Sequence, residues 1–274
     1  MAYDLLERLS LAKHLEQSAQ RKLKSSDCDS AITEARQARA LVSQEGTVDP
    51  SRRDLLPAER EIAVSAALIE SLALAYTDRT SRAGWVAGVA RELAKSAEIQ
   101  AQFAVDAELT GLHVREMQRD LDATMRRLWQ LANELQGEEW SRASALRALA
   151  RFIACAVWAQ DSESAARGMR EGNRILGQVD DPDARGSYLI WPAQALMRED
   201  EFDQAHDLLA QALELREETP RRAVTDLYAS AYFELKHGDH DVGMEEVRRF
   251  ALGTIETGLY QYARVGLETL APLF

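Results

Sequence analysis

The sequence predicts an all-α chain built from repeated helix pairs, and three observations carry that prediction. Of 274 residues only 14 are glycine and 6 proline, and Ala, Leu, Glu and Arg dominate, which are strong helix formers. No run alternates β-branched with polar residues as a half-buried strand would. Small and large apolar residues instead recur as trios at i, i+4, i+7, one face of a helix, each behind a short polar turn.

The elements follow in chain order. The first pair spans 3–44, and its second helix carries Ala31, Ala35 and Ala38. The stretch Gly46 to Pro57, with prolines at Pro50 and Pro57, reads as a linker. The second pair, 57–96, carries Ala83, Ala87 and Ala90. The third, 98–136, is degenerate: Ala123 stands at the expected interval, but Arg127 and Gln130 spoil its trio, so Leu121, Met125 and Leu128 form the better apolar face. A turn over 136–141 ends at Ser141, an expected N-cap. The fourth pair, 141–177, carries Ala165, Met169 and Gly172, and a loop is expected over 177–187. The fifth, 186–217, carries Ala205, Leu209 and Ala212. Pro192 falls inside its first helix, removes a backbone donor and predicts a kink. The sixth, 222–256, carries Gly243, Val247 and Phe250, and a terminal helix over 257–272 is expected to cover the exposed end.

The small residues have a packing reason. Helix axes approach to about 8–10 Å only where side chains at the crossing are small. One hairpin cannot bury its apolar face alone, so neighbours must stack and share a core.

The stretch DEFDQAHDLLAQALEL, 200–215, resembles the tetratricopeptide repeat (TPR) family. Asp200 takes the family's glycine position, Phe202 its aromatic, and Ala205 and Ala212 its two small residues. The stretch HGDHDVGMEEVRRFAL keeps Gly238 and puts Gly243 at the first small position. The resemblance is good over 141–256, fair over 1–96 and poor over 97–140. It implies a single TPR-like α-solenoid over 1–274, looser over 1–136 and more regular over 141–256. The fold would be a superhelix of about six antiparallel hairpins plus a C-terminal capping helix. It also implies a non-catalytic protein that needs no cofactor.

Charge and motifs narrow the function. The balance of 33 Lys+Arg against 45 Asp+Glu gives a net charge of −12, which disfavours direct contact with phosphate backbones. The N-terminus carries charges throughout and lacks the apolar centre of a signal peptide. The longest apolar run, Phe152 to Ala159, is too short to span a bilayer. Two cysteines, Cys28 and Cys155, form no disulfide framework or zinc motif, and a reducing cytoplasm is the expected setting. His237 and His240 stand in a turn where the repeat wants polar residues. Asp203 and His206 have the i, i+3 spacing of carboxylate-bridged iron sites, but no second copy exists. Phosphate-loop, dinucleotide, zinc-protease and nucleophile-elbow motifs are missing.

The first helix of each pair lines the concave side of such a solenoid, the side used for binding. The alignment places Arg147, Arg151 and Trp158 there from the fourth pair, Trp191, Gln194 and Arg198 from the fifth, and Tyr228, Tyr232 and Lys236 from the sixth. Arg forks match carboxylates, and Trp, Tyr and Arg dominate interface hot spots. The expected function is therefore an adaptor that holds a protein or peptide partner, with an acidic segment or a C-terminal carboxylate as the matching chemistry. The alternatives are a peptide- or ligand-sensing regulator acting through a partner, and an all-helical enzyme. Trp85, Trp129 and Trp140 in the divergent middle raise self-association as a further expectation.

Overall fold

A computed structural model describes residues 2–43, 55–95, 100–215 and 219–274. Among these residues the chain is all-α, with no strand and thirteen α-helices. They are α1 (Ala2–Lys24), α2 (Cys28–Ser43), α3 (Pro57–Tyr76), α4 (Thr80–Ala94), α5 (Ala101–Met117), α6 (Leu121–Leu135) and α7 (Arg142–Ala159), followed by α8 (Ser162–Leu176), α9 (Pro182–Arg198), α10 (Phe202–Leu215), α11 (Pro220–His237), α12 (His240–Glu256) and α13 (Tyr260–Leu270). None is long and apolar enough to cross a membrane. Most of the expected linker lies outside the described residues; its last residue, Pro57, opens α3, a position where the missing N–H costs nothing.

One local device recurs along the chain. Ser26, Asp78, Arg119, Gln160 and Asp200 all have positive φ, between 58° and 65°. Each stands in the turn after α1, α3, α5, α7 or α9. In four of these turns the next amide bonds back to the carbonyl five residues earlier: Asp27 to Lys22 at 2.9 Å, Arg79 to Leu74 at 2.8 Å, Asp161 to Ala156 at 2.9 Å and Glu201 to Leu196 at 3.0 Å. That 6→1 bond around a left-handed residue is a Schellman closure, which satisfies carbonyls orphaned at the helix end. The residue after the left-handed one then starts the next helix. Asp27 and Asp161 do so with their side chains, accepting from Ser30 and Ser164.

The small residues keep phase with this turn. Five positions after the left-handed residue stand Ala31, Ala83, Thr124, Ala165 and Ala205, and Gly243 holds the same place after Gly238. All six are buried. In the degenerate third pair, Met125 and Leu128 of the expected apolar face are buried, while Leu121 is only half-buried. The first place of that face is taken by Thr124, with Leu128 and Leu131 behind it, all buried. Threonine is still small enough to let the helices approach.

The described chain divides into two compact units. The first comprises Met1–Gln118, Thr219–Arg221 and Ala251–Gly266. Within it α2 packs on both α1 and α3, and α3 packs on α1, α4 and α5. Its core holds a buried charge cluster: Glu70 of α3 is 1% exposed and accepts from Arg36 at 2.7 Å and Arg39 at 2.5 Å, both on α2. A carboxylate so buried persists only because two guanidinium groups meet it. At the end of α3, Tyr76 gathers distant segments. Its ring meets His113 edge-on at 6.1 Å and Tyr262 at 5.8 Å, and Arg221 donates to its hydroxyl at 2.6 Å. Tyr262 and Arg264 of α13 therefore lie against the end of the second pair, with Arg264 at 3.5 Å from Asp78.

The second unit comprises Arg119–Glu218, Arg222–Phe250 and Leu267–Phe274. There α7 packs on α6, α8 and α9, and α9 packs on α10. The glycines of α8 show how close these contacts are. A Cβ on Gly168 would come within 2.7 Å of Ile153 and 2.9 Å of Phe152. A Cβ on Gly172 would enter the ring of Tyr188, a fully buried side chain of α9 whose hydroxyl lies 3.0 Å from the Met169 carbonyl and from Asn173 Oδ1. Gly243 meets Leu235 of α11 in the same way, at 2.8 Å.

Two local expectations change, at the start of α9 and at Ser141. α9 begins at Pro182 rather than after 186, because Asp181 caps it by accepting from Ala184 and Pro182 supplies the first helical residue. α9 continues through Pro192, which is buried. Ser141 precedes α7 but does not cap it with its side chain: its hydroxyl donates to the Leu135 carbonyl at 2.6 Å and so fastens the end of α6.

Two substitutions separate a seat from a bystander. Gly172→Ala should lower stability by about 1–3 kcal/mol through overpacking against Tyr188. Gly88→Ala, in a helix interior with nothing within 4 Å of the new methyl, should raise it by about 0.5–1 kcal/mol. Urea midpoints at fixed slope check both.

Candidate functional site

The nine candidate residues fall on three helices of the second unit, one face each. Arg147, Arg151 and Trp158 are on α7, Trp191, Gln194 and Arg198 on α9, and Tyr228, Tyr232 and Lys236 on α11. Gln194 and Tyr232 are buried, and the other seven are half-buried. The faces of α7 and α9 meet, with Trp158 and Trp191 packed edge-on and their centroids 5.7 Å apart; on α11 the rings of Tyr228 and Tyr232 lie 6.4 Å apart. The Tyr228 ring also lies 5.8 Å from Phe250, and desolvation pushes its hydroxyl up to about 12. It is a protonated donor at neutral pH and bonds Thr269.

The cations are employed inside the chain. Arg147 reaches Asp181, the cap of α9, at 2.7 Å, and lies 3.8 Å from Asp183. Arg198 donates to the Val157 carbonyl in the last turn of α7. Lys236 pairs with Asp200 at 2.8 Å and approaches the Arg198 carbonyl at 3.5 Å. These contacts tie the ends of α7, α9 and α11 together and satisfy carbonyls that the helix ends leave open. Arg151 also has an intrachain interaction.

Arg119, absent from the sequence-based set, sits over the ring of Trp158 at 5.2 Å and bonds Glu268 at 2.9 Å. Nothing in the sequence pairs a turn arginine with that indole; the left-handed turn puts it there. Trp129 is covered by Arg167 at 3.7 Å, while Trp85 and Trp140 are 64% and 51% exposed. His237 stacks on Phe202 at 4.0 Å.

Beside the strip lies a cavity of about 550 Å³. Its walls come from the end of α7 (Ala156, Val157), the start of α8 (Ala165, Ala166, Met169) and the end of α9 (Ala195, Leu196). Arg198, Tyr232, Asp161 and Glu199 also line it. The sequence reading took Met169 as a core residue of its trio; it is half-exposed, which is why it faces the cavity.

No family model, no curated protein and no solved structure matches the chain.

Asp161 gives a pH test. Its bonds to Ser164 hold the carboxyl below the usual carboxylate range. A lowered folded-state value contributes stability that is complete above about pH 4 and is lost as pH falls through the folded value. Asp161→Asn keeps the cap but not the charge. Its deficit against the parent chain should be largest near neutrality and close on acidification, as read by urea midpoints across that range.

Proposed function

We propose that the chain is a non-catalytic adaptor with TPR-like, superhelical stacking of about six hairpins, and that the strip on α7, α9 and α11 holds a protein or peptide partner. The stacking reading is supported by the turn that recurs in phase with a small buried residue, and by packing of helices on their first and second neighbours within each unit. Such stacking leaves the first helices of the pairs free to form one continuous binding face.

The observation that carries the reading is the half-exposed indole pair, Trp158 and Trp191, crossed by Arg119 and adjoining an apolar cavity. Rigid aromatic area with a neighbouring guanidinium is the composition of interface hot spots. A second reading, a ligand-sensing regulator, draws on the cavity volume of about 550 Å³, which falls in the range of small-molecule sites. The proposed setting is a reducing cytoplasm, in keeping with two buried cysteines that form no disulfide with each other. Self-association through Trp85 and Trp140 stands as the alternative use of exposed rings.

The test is affinity capture from native lysate, with mass spectrometry of both proteins and small molecules. The parent chain should retain a stoichiometric protein, and Trp158→Ala with Trp191→Ala should reduce its recovery on the order of tenfold at unchanged helicity. Full recovery by the double variant removes the strip from the reading. A bound small molecule in place of a protein favours the regulator.

A further inference from the structure

The cavity beside the strip has a charge opposite to that expected of the groove. Its apolar lining comes from Ala156, Val157, Ala165, Ala166, Met169 and Leu196. Its rim carries two carboxylates, Asp161 and Glu199, against one guanidinium, Arg198. Arg198 already donates to the Val157 carbonyl, and the nearby Lys236 is paired with Asp200. Of the carboxylates, Asp161 accepts from the amides of Ser164 and Glu163 and from the Ser164 hydroxyl, and Glu199 accepts from the Ser162 hydroxyl at 2.5 Å; none of these partners is a cation. Glu163, Asp200 and Glu201 stand next to them in the chain, and the whole protein carries −12.

We infer that this cavity seats a large apolar side chain of a basic amphipathic peptide segment in a partner protein, with flanking Lys or Arg lying against Asp161 and Glu199. The inference rests on the adaptor reading and names the chemistry of what is adapted. Burial of the apolar side chain supplies the affinity, because exposed ion pairs contribute little. The acidic rim supplies selectivity and a faster encounter at low salt. An acidic segment, the chemistry that the arginines suggested from sequence, meets two carboxylates at this rim.

Three end-blocked synthetic peptides test it by fluorescence anisotropy on the full chain. One carries Leu and Phe flanked by lysines, the second the same pair flanked by glutamates, and the third the lysines with serines in place of Leu and Phe. The first should bind on the order of tenfold more tightly than either of the others. Ala166→Trp should fill the mouth of the cavity from an exposed position of α8 and weaken the first peptide by a similar factor. Glu199→Lys should weaken it several-fold and flatten its salt dependence, and both variants should keep the parent helicity and Tm. Equal or tighter binding of the glutamate peptide overturns the inference. So does binding of the lysine peptide that Ala166→Trp leaves unchanged, which marks attraction to the acidic surface alone. If no peptide binds while a protein partner is still captured from lysate, the cavity assignment falls and the adaptor reading stands. If neither occurs, both fall.

Discussion

Everything in this chain depends on how closely two helices can lie. At six corresponding places a side chain no larger than threonine stands at the crossing, and the neighbouring helix comes in against it. Gly172, on the same face of α8 as Ala165, shows the constraint most sharply, because the Tyr188 ring occupies the volume that a Cβ would need. Close approach lets one helix serve several neighbours, so that α7 contacts α6, α8 and α9 without a separate core for each. The buried pairing of Glu70 with Arg36 and Arg39 is a second result of that economy. With helices so near, the polar groups they bring along must satisfy one another or remain without partners.

The proposed binding strip follows from the same packing. Side chains of α7 and α9 meet because those helices lie side by side, Lys236 of α11 reaches the end of α9, and the chain uses part of that meeting for its own cohesion. Arg147, Arg198 and Lys236 close helix ends, which frees the indoles and the apolar wall beside them to face outward. An exposed ring backed by a satisfied cation is a stiffer contact surface than a free guanidinium on a mobile stem, since less side-chain freedom is lost on contact.

Much of this was legible in the residues, for reasons of period. Five of the six apolar trios stand out because an alanine or glycine that opens an apolar i, i+4, i+7 face has few other causes. In the third, Met125 and Leu128 were legible and only the first place was missed, because Thr124 does not look like a small apolar residue. The start of α9 was legible in Asp181 and Pro182 and was read as loop instead. The employment of the cations was not legible, since whether Arg147 meets Asp181 depends on where the end of one helix falls against the start of another. The contact of α13 with Tyr76 was hidden for the same reason: Tyr76 and Tyr262 meet through the tertiary arrangement, which no local pattern encodes.

The fixed offset between the left-handed turn and the small residue makes the chain sensitive to indels in a graded way. Removing one residue between Gln160 and Ala165 would roll the following helix by about 100° and bring an exposed position to the crossing. Duplicating a complete helix pair from one such turn to the next would leave every later crossing in register. Lineages descended from this chain should therefore differ in length by whole periods, with odd-sized insertions confined to the connections between pairs.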